Sequence, residues 1–143
     1  TLCPFPAHRL RDPRNAVVVW QMSRAIHSWQ PDVVHLQQGQ LWFNLVGLRL
    51  LKSLCLVTTV HDVVSHQGDL YARRTPQRVW DMGIRQAAHL IVHGETLRAQ
   101  LVQRHHVPAA SVHVIPHGEF TFFTQWAQLE VIEELAVLFF GRI

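Results

Sequence analysis

The seven residues Leu54-Cys55-Leu56-Val57-Thr58-Thr59-Val60 constrain the fold of this chain more than any other stretch. They are apolar or β-branched without a break and show no alternation. A strand of that kind has both faces covered, which fits the interior of a parallel sheet better than an edge. Parallel neighbours need crossover connections of about a dozen residues or more, and the flanking sequence supplies them. Residues 15–29 place Val19, Met22, Ile26 and Trp29 at steps of three and four on one helical face, with Asn15 as the expected N-cap. Pro31-Asp32 then breaks the helix before Val33-Val34-His35-Leu36, a short run suited to a buried strand. A helix over residues 40–51 is apolar nearly all round and should be buried on several sides. Beyond residue 60, Thr75-Pro76 reads as a cap and a first helical position for a helix lined by Trp80, Ile84 and Ala87. A strand over 90–92, a helix over 95–106 stopped by Val107-Pro108, and a strand over 112–115 complete the rhythm. The expected class is α/β, a Rossmann-like parallel sheet with flanking helices.

In such sheets ligands bind beyond the carboxyl ends of the strands, where loops and helix N-termini converge. His61, Asp62, His93, His117 and Gly118 all fall at expected strand ends. A strand-end imidazole can approach a ligand, and a neighbouring carboxylate such as Asp62 favours its charged form. Ile115-Pro116-His117-Gly118 is a strand exit at which glycine permits positive φ or a close ligand, although a plain turn has the same composition. Past residue 119 the rhythm is lost through Phe123 and Trp126, and a last apolar strand over 137–140 ends in Gly141-Arg142. A guanidinium there has the forked donors that grip phosphate oxygens, and a surface arginine after a strand is the plain alternative.

Composition narrows the functional classes. The chain has 143 residues, 48% hydrophobic and 16% charged, which is a globular balance. Thirteen Lys and Arg against ten Asp and Glu leave +3, and the basic residues form no run of the kind a polybasic tail would show. That suits an anionic partner, a nucleotide diphosphate or an acidic lipid head group, and argues against nucleic acid. The five tryptophans fall mainly on helical faces and read as core or interface residues rather than a base-stacking platform. Arg49 and Lys52 interrupt the most apolar window, 41–60, so no transmembrane helix is expected. Cys3 and Cys55 have neither metal spacing nor disulfide density, and Cys55 reads as a core residue of a protein from a reducing compartment. His105-His106 and the pair His66 and Asp69 read as solvated polar residues, since a metal needs three or four convergent ligands and adjacent helical histidines diverge. No metal ligand is assigned.

Taken in order, Pro31-Asp32-Val33-Val34-His35, Thr59-Val60-His61-Asp62, Leu90-Ile91-Val92-His93, Val114-Ile115-Pro116-His117-Gly118 and Leu138-Phe139-Phe140-Gly141-Arg142-Ile143 resemble the retaining family-four glycosyltransferases. The ordered series is far more specific than any one motif. It departs from the family at His93-Gly94-Glu95, where serine is common, and at His117-Gly118-Glu119-Phe120, which replaces an Asn-Gly-Val-Asp type of turn. The glycine-rich loop expected after the family's first strand is not visible before Ala16.

The resemblance implies a GT-B architecture, with two Rossmann-like domains facing each other across a cleft. Residues 1–120 would form the acceptor-side domain, incomplete at its N-terminus, and residues 121–143 an interdomain linker and the first strand of a truncated donor-binding domain. The implied reaction moves a hexose from a nucleoside-diphosphate sugar to an acceptor hydroxyl with retention. His61 would be the catalytic cleft residue, and Asp62, His117, Gly118, Gly141 and Arg142 would bind substrate. No cofactor and no bound metal are implied, only the nucleotide sugar as co-substrate. The partners would be that donor, a carbohydrate, lipid or small-molecule acceptor, and the missing C-terminal donor domain. A fragment of this kind would be inactive alone, and its setting would be cytoplasmic, with peripheral membrane contact as an added option. A stand-alone binding domain that keeps the acceptor surface, or pairs with a separate donor chain, stays open, as does a metal-dependent hydrolase using His61-Asp62.

Overall fold

The structure is a computed structural model and describes residues 4–6, 8–37, 40–64, 75–118 and 121. Within them, helix α1 (Arg14–Trp29) leads into β1 (Val33–Leu36). A π-helical turn, Phe43–Gly47, runs directly into α2 (Leu48–Leu50), and β2 (Cys55–Thr59) follows. Then come α3 (Gln77–Gln86), β3 (His89–Val92), α4 (Glu95–His105), a 3-10 turn (Ala109–Ser111) and β4 (Val112–Val114). The four strands form one sheet in the order β1-β2-β3-β4, and every pair is parallel. This is the Rossmann-like α/β class expected from the sequence, with β2 inside the sheet. No described helix is long and apolar enough to cross a membrane.

Two apolar clusters hold the helices to the sheet. One gathers Val19, Phe43, Leu48, Leu51 and Leu56, with Met22 and Ile26 packed against it, so the spacing on α1 does mark its inner face. The other gathers Val60, Val63, Ile84, Leu90, Val92, Leu101 and Val112. Each fully buried leucine contributes about 1.5–3 kcal/mol by leaving water. Gln86 Nε2 donates to the carbonyl of Leu48, and Asn44 Nδ2 donates across 2.8 Å to the carbonyl of Val79, tying α3 to α2 and to the π-helical turn.

Local details correct several sequence expectations. Asn15 is not an N-cap: it lies one residue inside α1 and is buried, its Oδ1 accepting from His8 N at 3.2 Å and its Nδ2 donating to Arg9 O at 2.9 Å. The capping contact comes from Asp12, whose Oδ1 accepts from the Arg14 backbone N–H at 2.9 Å. The Arg14 guanidinium also bonds that carboxylate, and together these bonds hold its pKa at about 2. Pro76 stands at the N-cap of α3 with ψ 138°, one position earlier than expected, so Thr75 lies outside the helix and no side-chain cap bond is made there.

Cys55 is exposed rather than core: it is the first residue of β2, at the amino end of the strand, and cover begins with the buried Leu56 that follows. Trp20 and Trp29 are likewise exposed; Trp20 lies outside the inner stripe of α1, and Trp29 is its last residue. The strand β1 is half exposed, since among the described residues it has a neighbour on one side only. His105, expected in solvent, has a side chain that is only 2% exposed, 4.0 Å from Asp81 of α3. The last strand expected over 137–140, the Phe122, Phe123 and Trp126 segment, His66, Asp69 and the donor-side domain boundary lie outside the described residues.

Candidate functional site

Three histidines meet at the carboxyl edge of the sheet. The backbone explains how. Val60 N donates to Ile91 O at 2.8 Å and Ile115 N donates to Val92 O at 2.8 Å, so the ladders continue one residue past β2 and β4. Thr59 pairs with Ile91 and Ile91 with His113. Extending that register by two residues sets His61 opposite His93, on the same face of adjacent parallel strands. His117 follows β4 by three residues and folds back over the same edge.

The rings are close. The His93 and His117 centroids are 3.7 Å apart with planes at 26°, His61 and His93 are 5.1 Å apart, and His61 and His117 are 6.2 Å apart. His61 and His117 are exposed and His93 is half-buried. The three offer ring nitrogens that all lie within 4.8 Å of one another. His93 Nδ1 donates to the carbonyl oxygen of Ile115 at 2.9 Å. Its other nitrogen, Nε2, is buried and has no hydrogen-bond partner among the described residues.

Asp62 follows His61 and is exposed. A Cβ placed on Gly118 would meet no described residue within 4 Å, and its φ is not in the left-handed region. Positive φ is therefore not the reason for a glycine here, and among the described residues the position beside His117 is open. Gly141 and Arg142 lie outside the described residues.

Sequence reasoning placed His61, His93 and His117 at strand ends but did not join them into one cluster, and it gave His93 no role. The signal was present: each histidine comes one to three residues after an apolar run, and in-register parallel strands bring such positions together. A second pair lies elsewhere on the sheet, with His89 Nδ1 3.1 Å from His113 Nε2. On β1, His35 Nε2 lies 2.8 Å from Thr59 Oγ1, an exposed imidazole anchored to the neighbouring strand.

Chemically, the edge presents neutral or cationic imidazoles around open space, able to donate hydrogen bonds to oxygens of a bound ligand or to hold a cation. Comparison with protein families matches residues 2–118 to Glycosyltransferase Family 4. No curated protein matches the chain.

Proposed function

The chain belongs to glycosyltransferase family 4, and on that premise we propose that it forms the acceptor-side half of an enzyme that transfers a hexose from a nucleoside-diphosphate sugar to an acceptor hydroxyl with retention of configuration. The observation that carries the reading is the position of His61. It stands at the carboxyl edge of the interior strand, exposed, beside His93 and His117.

In this reading His61 donates a hydrogen bond to the reacting sugar or to the oxygen of the departing diphosphate. A donor aimed at charge that develops in the transition state lowers the barrier more than it tightens ground-state binding. His117 and Asp62 border the acceptor, and Gly118 leaves room for it. Arg142 and Gly141 act on the donor side, where a guanidinium offsets the diphosphate charge. Transfer requires both halves, because fixed geometry supplies roughly 7–11 kcal/mol of barrier reduction in such reactions. The reaction calls on no resident cofactor, and a cytoplasmic setting, with peripheral membrane contact where the acceptor is a lipid, goes with it.

The test is calorimetric titration of uridine and guanosine diphosphate sugars into residues 1–143 and into a longer polypeptide carrying a donor-binding domain, followed by an assay for nucleoside diphosphate release. Weak binding and no release from the first, with binding and acceptor-dependent release from the second, is the expected result. Micromolar binding with acceptor-dependent release from residues 1–143 alone would overturn the division of labour. No release from either would overturn the transferase reading.

A further inference from the structure

The geometry points to a transition-metal site of three imidazoles, His61, His93 and His117, that takes a borderline divalent cation such as Zn2+. Two independent observations carry it. The first is convergence: three histidines from three different strand ends place ring nitrogens within 4.8 Å of one another. Three neutral imidazoles plus one open position is a recurrent donor set for this class of ion.

The second is the state of His93. Its Nδ1 faces the Ile115 carbonyl oxygen at 2.9 Å. A carbonyl can only accept, so Nδ1 carries the proton and the neutral ring has its lone pair on Nε2. That nitrogen is buried and, among the described residues, without a partner. A buried acceptor left empty is costly, and it is satisfied by a cation or a donor but not by an anion. The bond from the other ring nitrogen to a backbone carbonyl is also the arrangement that fixes the tautomer and orientation of metal-bound histidines.

A tetrahedral zinc ion with bonds of about 2.0–2.1 Å needs nitrogens about 3.3 Å apart. His93 is the fixed member, held by Ile115. His61 and His117 are exposed on coil beyond their strands, and side chains in that setting change rotamer rapidly, so closure to this spacing asks for ring reorientation and leaves the sheet intact. The fourth position is left for water or a ligand oxygen. Occupied, the site withdraws His61 and His117 from any other use, which makes the ion an inhibitor of the proposed transfer. The metal site itself does not rest on the transferase reading, and zinc binding by a chain that never meets a sugar nucleotide would leave it standing.

Zn2+ alone is the probe. The 143-residue chain, stripped with chelator and exchanged into metal-free buffer, is titrated calorimetrically with zinc chloride. One ion per chain is expected, with affinity weakened at least about tenfold by each of His61→Ala, His93→Ala and His117→Ala. The double variant His89→Ala/His113→Ala, which removes the other histidine pair, should bind like the parent. Co2+ in place of Zn2+ should give the intense visible absorption of a low-coordinate ion, lost in the triad variants. Circular dichroism checks folding, and if His93→Ala does not fold, the exposed His61→Ala and His117→Ala carry the test. Absence of saturable binding in the parent, binding that survives all the triad substitutions, or binding abolished by the His89 and His113 change would overturn the site.

Discussion

His93 donates its Nδ1 proton to the carbonyl oxygen of Ile115 across 2.9 Å, so the residue after β3 is locked to the residue after β4. This bond does for the loops what the ladder does for the strands. It sets the ring plane of His93, against which the His117 ring stacks at 3.7 Å. The tautomer is therefore decided by the fold. In the neutral ring of the metal-free chain, nitrogen-15 spectra should show His93 with a protonated Nδ1 and a bare Nε2. Free histidine favours the opposite tautomer, so a spectrum with the proton on Nε2 would break the argument.

His61 should matter to turnover far more than to folding. In a polypeptide carrying both halves, His61→Ala is expected to lower the transfer rate about 10²-fold, the usual loss for one donor to transition-state charge. Because the side chain is exposed, stability should change by less than about 0.5 kcal/mol. Equal turnover in variant and parent would remove His61 from the mechanism.

Gly47 sits where α1 meets the π-helical turn. A Cβ there would stand 2.8 Å from Phe43 Cδ2 and 3.0 Å from Val19 Cγ1, and both residues are buried. Alanine would gain up to about 1 kcal/mol of helix propensity, while overpacking a closed core costs about 1–3 kcal/mol. The clash wins. Gly47→Ala should lower the urea midpoint, and a raised midpoint would show that the helices can part without cost.

Asn15 offers a test of which residue caps α1. An N-cap accepts aspartate as readily as asparagine. Here Nδ2 donates to the Arg9 carbonyl, so Asn15→Asp replaces a donor with a carboxylate facing that oxygen. A loss of about 1–3 kcal/mol is expected. An unchanged melting temperature would restore the capping role to Asn15.

His105 makes stability depend on pH. Burial pushes its pKa below the ordinary 6.5, with Asp81 opposing the shift and Arg104, Arg85 and His106 adding to it. The unfolded chain therefore takes up the proton first as pH falls. Stability held by neutral His105 is full above about 6.5 and is lost as pH drops from there toward the folded value. Urea midpoints should fall as pH drops below about 6.5, and less steeply in His105→Gln. Equal slopes would mean that the folded protein protonates His105 without penalty.

Particular residues show where the sequence was sufficient. The unbroken run at residues 54–60 placed β2 inside a parallel sheet, because continuous apolar character demands cover on both faces. The three- and four-residue spacing of Val19, Met22 and Ile26 found the inner side of α1. Strand-end position marked His61, His93 and His117 one at a time, and the ordered motifs named the family before the match over residues 2–118 showed it.

Other outcomes depended on contacts between segments far apart in the chain. Whether Asn15 caps or clamps was decided by where His8 and Arg9 fold back, and whether His105 is wet was decided by the approach of α3. That the three histidines form one cluster followed from the register of β2, β3 and β4 and from the bond between His93 and Ile115. Sequence periodicity fixes which side of an element is apolar, since that depends only on residue spacing. Which polar groups meet at the sheet edge is set by register and packing, which no single segment encodes.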